Sequence, residues 1–301
     1  MDIMINRVAI IGGTHGNEVT GTYLLRRWAE NPAEISRDSF TTSPLWANPR
    51  AFSENKRFVD VDLNRSFLLK ELNDETIHTY EGQRAKAINE CLGPKEKPAV
   101  DFLIDIHTTT SNMGVTLVLF DGCDEYDFRL AAFIKSHMPA VNLYFFKDHR
   151  EDLPYLVSIA PRRLALEIGP VPHGVLRHDI FQRANQVVQL ALDYVHLLNV
   201  GSEPEPAHDI EVFVHKAVVH FPLDAAGNIY GIVHRNLQDR DFTELRKGDP
   251  LFMKLDGGII RFEEDQVAYP VFINEAAYYD AKIALSLTEK AIRKIDLSVG
   301  L

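Results

Sequence analysis

Val8-Ala9-Ile10-Ile11-Gly12-Gly13-Thr14-His15-Gly16-Asn17-Glu18 is the stretch on which the reading of the fold turns. Four consecutive apolar residues closed by two glycines read as a buried strand entering a tight turn. Beyond the turn, Val19, Tyr23, Leu24 and Trp28 recur at helical spacing up to Glu30. A buried strand, a glycine turn and an amphipathic helix open an α/β unit. The same alternation continues. Phe102–Ile106, Thr116–Phe120 and Leu164–Ile168 are strand-like, and the last is closed by Gly169-Pro170. Tyr80–Leu92, Phe128–His137 and Asp179–Leu198 are helix-like. The expected fold class is α/β, a mixed sheet flanked by helices.

The pattern changes near Asn199. Val200–His208 is rich in Pro, Glu and Gly and reads as a linker. After it Ile210, Val212 and Val214 alternate with polar residues, Asp224–Asn228 reads as a turn, and Leu251–Phe262 reads as a hairpin through Asp256-Gly257-Gly258. Ala276–Ile295 has a helix-compatible pattern. The expected division is a first domain over 1–200 and a mostly β domain over 201–301.

Composition narrows the function classes. The chain has 301 residues, 46% hydrophobic and 25% charged, so disordered, collagen-like and coiled-coil classes are excluded. A net charge of -11 repels phosphate backbones and anionic lipid, so neither nucleic acid nor a membrane is an expected partner. Only Cys91 and Cys123 are present, which points to a reducing compartment rather than a disulfide framework. No apolar stretch reaches the roughly 18 residues of a membrane span. The N-terminal run reads as a first strand, not a signal peptide. The expectation is a soluble, cytoplasmic protein.

Three features sit at or just beyond strand ends: the His15–Glu18 turn, His107 after Phe102–Ile106, and Glu167 in Leu166-Glu167-Ile168. Ligands of open α/β sheets bind at the carboxyl ends of strands, so distant segments can meet there. His15 and Glu18 on a turn entering a helix can face one cation, and His107 completes a His, Glu, His set. Three protein ligands with a fourth position open to water is the usual catalytic zinc arrangement. Glu167 is then a candidate general base. Two other His-x-x-Glu pairs act as controls. His78–Glu81 starts a polar helix and reads as a solvated face, and His208–Glu211 leads into a strand whose residues three apart diverge. The alternative for the first set is structural: His15 capping a helix, Glu18 in a first turn, Glu167 ion-paired.

Arg57–Phe67 concentrates Arg57, Asp60, Asp62, Asn64 and Arg65. It reads either as a surface loop with local salt bridges or as an anion clamp, since guanidinium binds carboxylate bidentately. The glycine turn lacks the Gly-Lys-Ser/Thr of a P-loop and the Gly-x-Gly-x-x-Gly of a dinucleotide fold.

Gly12–Glu18, Asp62-Leu63-Asn64-Arg65, Asp105–Gly114, Glu167–Pro170, Gly174–Arg177, Asn236–Asp239, Gly248–Pro250 and Tyr269–Tyr279 together resemble the aspartoacylase family, which is related to succinylglutamate desuccinylases and zinc carboxypeptidases. The resemblance runs in order along nearly the whole chain. It implies a zinc-carboxypeptidase-like catalytic domain followed by a mostly β domain. It implies one zinc per chain, held by His15, Glu18 and His107, with Glu167 as general base and acid and Arg57 holding the oxyanion. It implies that Asn64, Arg65 and Tyr278 bind the substrate α-carboxylate, that Asp62 orients an arginine, and that Tyr155 lines the pocket. The implied activity is hydrolysis of an N-acyl amino acid, acetyl above other acyl groups, to a carboxylate and a free amino acid. Desuccinylation, a carboxypeptidase-like reaction, or zinc binding without activity are the alternatives. A small-molecule substrate and a homodimer or larger assembly are the implied partners.

The chain departs from the aspartate-specific pattern. Val157 stands where those members carry an arginine before Ser158-Ile159-Ala160, and Asp280-Ala281 precede Lys282 where they carry a lysine. Arg162 or Arg163 is a candidate replacement cation from the adjacent turn. An apolar Val157 also suits the N-acetyl aromatic substrates of the aminoacylase 3 branch.

Overall fold

Residue parity along the strands assigns each side chain to one of two cores. Successive residues of a strand point to opposite faces. In the first strand, β1 (Arg7–Gly12), Val8 and Ile10 join one core while Ala9 and Ile11 join the other. The computed structural model describes residues 4–148, 150–202, 204 and 209–295. The remaining strands are β2 (Thr41–Trp46), β3 (Phe102–Thr108), β4 (Gly114–Phe120), β5 (Val141–Phe146), β6 (Arg162–Gly169), β7 (Asp209–His220), β8 (Gly231–Val233), β9 (Pro250–Lys254), β10 (Ile259–Arg261), β11 (Tyr269–Val271) and β12 (Ile283–Lys294). The α-helices are α1 (Val19–Glu30), α2 (Pro49–Ser53), α3 (Leu69–Leu72), α4 (Tyr80–Cys91), α5 (Glu125–His137) and α6 (His178–Asn199).

Nine strands form one mixed sheet in the order β11-β12-β7-β5-β4-β6-β3-β1-β2. β2, β1, β3 and β6 run parallel, and β4 reverses against β6. Helices α1, α5 and α6 cover one face, where Leu24, Trp28, Ile134, Val187 and Leu192 pack on Ile10, Ile104 and Leu166. Each fully buried aliphatic side chain of this kind contributes roughly 1.5–3 kcal/mol. The opposite face carries α4 and the loops that bear Leu63, Phe67, Tyr155 and Val157. Three short strands, in the order β10-β9-β8, enclose a third core around Phe221, Phe252 and Leu285.

The expected strands and helices of the first 199 residues are all present, as are the Asp224–Asn228 turn and the 251–262 hairpin. The sheet also continues into the C-terminal part, since β7 pairs parallel with β5 at Tyr144–Phe213. The helix expected over Ala276–Ile295 is corrected. Ala276–Tyr278 form a single 3₁₀ turn, and Ile283–Lys294 form β12, antiparallel to β7. Ala, Leu, Lys and Glu favour helix intrinsically, but long-range pairing overrides that preference. Ala284 to Thr288 are buried on both faces, which erases the alternation that marks a half-buried strand. Of the expected linker Val200–His208, residues 203 and 205–208 lie outside the described residues, as does His208 of the control pair.

Candidate metal centre and substrate cavity

The site forms at the carboxyl ends of β1, β3 and β6. Gly13 turns the chain with a φ of 68°, a conformation that disfavours any side chain bearing a Cβ. Gly16 passes so close to α2 that a Cβ there would meet the Ala51 carbonyl carbon at 2.1 Å. The Glu18 N–H donates to the His15 carbonyl at 3.1 Å, which closes the turn and brings both side chains inward. On β3, Asp105 and His107 share the parity of Leu103 and project to the face that carries Tyr155 and Val157. Glu167 is the register partner of His107 on β6.

His15, Glu18 and His107 converge. His15 Nδ1 lies 2.7 Å from Glu18 Oε1, His107 Nδ1 3.1 Å from Glu18 Oε2, and the two Nδ1 atoms 3.2 Å apart. All three residues are buried. The far nitrogens are both engaged by carboxylates: His15 Nε2 by Asp62 Oδ1 at 3.0 Å, and His107 Nε2 by Asp105 Oδ2 at 2.8 Å. A carboxylate partner favours the proton on Nε2, which in the neutral imidazole turns the Nδ1 lone pair inward. Three electron-rich atoms facing one another require positive charge between them. This donor set is able to hold a metal ion. The titration behaviour agrees. Burial opposes charge on Glu18, yet His15 and His107 hold its carboxyl well below the usual range. Asp105 and Glu18 likewise outweigh burial and hold the His107 imidazolium well above its ordinary value.

Arg57 and Asp62 support the centre from one side. Arg57 Nη1 donates to Glu18 Oε1 at 3.0 Å and Nη2 to Asp62 Oδ2 at 3.2 Å. Asp62 also accepts from Asn64 N–H at 2.8 Å, and its acidity is strengthened by His15 and Arg57 against the opposing effect of burial. Asp62 therefore faces His15 and Arg57 and does not line the adjoining cavity.

That cavity, of about 210 Å³, adjoins His107 and Glu167. Asn64, Arg65, Tyr155 and Tyr278 line it. The Arg65 guanidinium lies over the Tyr155 ring at 5.0 Å, and the Asn64 side-chain oxygen accepts from Leu156 N–H at 2.9 Å. Lys95 ties the segments behind these residues together, donating to the Phe67 and Leu153 carbonyls at 3.0 and 2.6 Å and pairing with Asp152. The Tyr155 hydroxyl donates to Asp148 Oδ2 at 2.9 Å, and burial pushes it up to about 12. Burial, with the nearby Glu167, also raises Tyr278 above its ordinary value, so this phenol stays a proton donor. Glu167 is pushed up to about 8, first by burial and then by Glu18 and Glu275, against the attraction of His107. Most of the remaining wall is apolar, with Val118, Phe120, Phe146, Val157 and Phe272, and Tyr144 and Ser286 add hydroxyl groups.

Three residues of the site were missed or misread in the sequence. Asp105 orients His107, and its spacing of two along a strand was a usable signal. Glu275, read only as part of a motif, accepts from Thr110 and Ser111 N–H and tethers the Tyr278 segment to the loop after β3. Glu81, expected on a solvated helix face, is fully buried and accepts four hydrogen bonds. The expectation that Arg162 or Arg163 replaces the missing arginine is also corrected. Both lie at the start of β6, roughly 13–16 Å of strand away from Glu167. There Arg162 pairs with Asp124, and Arg163 donates to the Asp121 carbonyl.

Comparison with known proteins agrees with this geometry. Residues 4–195 match the succinylglutamate desuccinylase/aspartoacylase catalytic domain, and residues 208–290 match the AstE/AspA barrel-sandwich hybrid domain. The chain is 43% identical to the N-acyl-aromatic-L-amino acid amidohydrolase (carboxylate-forming) of Homo sapiens, over 95% of this chain and 91% of the relative. It is 41% identical to a probable aspartoacylase of Trichodesmium erythraeum, over 95% and 97% of the two chains. The crystal structure of murine aminoacylase 3 superposes with a TM-score of 0.93 at 37% identity, covering 98% of each chain. By sequence and by structure, the chain belongs to the succinylglutamate desuccinylase/aspartoacylase family.

Proposed function

We propose that this protein is a zinc-dependent amidohydrolase that removes an acyl group, acetyl above others, from N-acyl amino acids with apolar or aromatic side chains. The observation that carries the reading is the convergence of His15, Glu18 and His107, with Glu167 beside His107, next to a cavity lined by Arg65 and aromatic rings. His15, Glu18 and His107 are the residues that would hold zinc. When bound there, zinc supplies a Lewis acid that polarises the amide carbonyl and acidifies water.

The chain's own groups do the rest. Glu167 takes a proton from the attacking water and delivers it to the leaving nitrogen. Its raised affinity for protons suits the delivery half, and a cation beside it favours the ionised form needed for the first half. Arg57 faces the oxygen on which negative charge develops. Arg65 and Asn64 bind the α-carboxylate, and Tyr278 closes over it, which holds the amide in line.

Side-chain preference follows from the walls. Val118, Phe120, Phe146, Val157 and Phe272 offer contact area but no charge, and Arg65 is committed to the α-carboxylate. An aspartate side chain seated there loses water without gaining a cation, a cost of several kcal/mol. The name of the human relative, an N-acyl-aromatic amidohydrolase, supports the same preference. The division of the chain near residue 200 belongs to this reading, and the two family matches flank it.

The test is kcat/KM of the zinc-loaded protein on N-acetyl-tyrosine, N-acetyl-methionine, N-acetyl-aspartate and N-succinyl-glutamate. N-acetyl-tyrosine is expected to exceed N-acetyl-aspartate by on the order of 100-fold. A protein without stoichiometric zinc and inert on the whole panel overturns the reading. Dominance of N-acetyl-aspartate overturns the side-chain preference alone.

A further inference from the structure

The loop between Arg57 and Asp62 supplies two side chains to the metal centre, yet its own backbone is held from outside the centre. Glu81, in the first turn of α4, has no exposed surface. Its Oε1 accepts from Val59 N–H at 2.7 Å and from Asn48 Nδ2 at 3.1 Å. Its Oε2 accepts from Asp60 N–H at 3.0 Å and from Val61 N–H at 3.2 Å. Three successive backbone donors thus point at one carboxylate. The loop answers in kind, since Asp60 Oδ2 accepts the Tyr80 N–H at 2.7 Å and Thr79 caps the same helix end.

We propose that Glu81 is a positioning residue for catalysis, which fixes the Arg57–Asp62 arm so that Arg57 meets Glu18 and Asp62 meets His15. The proposal rests on the hydrolase reading above. A carboxylate is suited to this task because it accepts from several N–H groups at once and offers no donor to oppose them. Glu81 holds Val59 to Val61, Arg57 and Asp62 flank that segment, and each reaches a different metal-ligand side chain. Arg57 is also anchored through its own carbonyl, which accepts from Gly16 N–H at 3.1 Å. Rotation of the arm about that anchor is what the Glu81 bonds prevent. The helix dipole adds to the effect, because the carboxylate sits at the N-terminal end of α4.

Glu81→Gln turns one side of the group into a donor facing N–H groups. In the zinc-loaded enzyme it should lower kcat by on the order of 10–100-fold with KM within about threefold, since a displacement near 1 Å is enough for such a loss. In an Arg57→Ala background Glu81→Gln should lower kcat by a smaller factor than in the wild type, since only the part carried by the Asp62–His15 contact remains. Wild-type kcat in Glu81→Gln, a change in KM alone, or full multiplication of the two effects overturns the proposal. If Glu81→Gln does not fold, Glu81→Asp is read by the same criteria. If the wild-type protein is inert on N-acyl amino acids, the hydrolase reading fails, and competition titration with zinc decides this proposal separately. Glu81→Gln should then bind zinc about 10-fold more weakly through loss of the Asp62–His15 contact, and equal binding overturns it.

Discussion

Glu275 Oε2 accepts the Thr110 N–H at 2.8 Å, although 165 positions of sequence separate them. The same oxygen also accepts from Ser111 N–H at 3.2 Å and from the Thr109, Thr110 and Ser111 hydroxyls. Its other oxygen accepts from Ala277 N–H at 3.0 Å. One buried carboxylate therefore joins the loop that follows His107 to the turn that carries Tyr278. Glu275→Ala leaves these donors unpaired and frees the turn. We expect a loss of about 2–4 kcal/mol of stability and a fall in kcat/KM of about 10-fold or more. Thermal unfolding and kcat/KM on the preferred substrate check both. Unchanged values would show that Tyr278 is held by other contacts.

Glu167 separates metal binding from turnover. It pairs in register with His107 but is not one of the three converging ligand residues. Glu167→Ala should keep zinc at one per chain and lose on the order of 10²–10⁴ in kcat. Metal analysis beside steady-state kinetics reads the two effects apart, and full activity would remove Glu167 from the mechanism.

Asp105 acts one step behind the ligand atoms. It accepts from Thr14 Oγ1 at 2.8 Å and engages His107 Nε2, so it fixes which imidazole nitrogen faces the centre. Asp105→Asn should weaken zinc affinity by about 10–100-fold. Competition against a chelator of known affinity measures it; wild-type affinity would mean that strand geometry alone orients His107.

The first half of this site was legible in the sequence because its logic is local. A buried strand, a glycine turn and His15-x-x-Glu18 specify both an element and a direction, and the carboxyl ends of parallel strands supply the place where His107 and Glu167 join them. Glu81 and Glu275 were not legible in the same way. Their roles consist of hydrogen bonds to backbone groups 20 or more positions away, and a backbone donor carries no residue signature. Glu81 even shares the His-x-x-Glu spacing of a solvated helix start. The strand Ile283–Lys294 was hidden for a related reason. Its pairing with β7 is non-local, and its own composition favours helix.

Val157 is expected to set the side-chain preference. It is buried and lines the cavity together with Tyr155. Val157→Arg places a guanidinium in that wall. The ratio of kcat/KM for N-acetyl-aspartate over N-acetyl-tyrosine should rise by about 10-fold or more. A ratio that does not move would assign the preference to the aromatic walls alone.

Asp241 gives the fold a pH dependence unconnected with the metal centre. Its carboxylate is buried, accepts from Ile273 N–H at 3.1 Å, and thereby pins the segment that leads to Glu275 and Tyr278. Burial, helped by the neighbouring Asp239, pushes it from 3.8 up to about 7. The native state therefore holds this proton where the unfolded chain has released it. The sign follows: below about pH 4 the group costs nothing, stability falls as pH rises from about 4 to 7, and above 7 the full penalty is present. At about 1.4 kcal/mol per pKa unit, that penalty is on the order of 4 kcal/mol. Asp241→Asn keeps the acceptor for Ile273 and removes the charge. It should raise the unfolding free energy at pH 8 by a few kcal/mol, leave it within about 1 kcal/mol at pH 4.5, and flatten the pH profile between. Urea unfolding at the two pH values decides it, and an equal effect at both would show that Asp241 is ionised in the native state throughout.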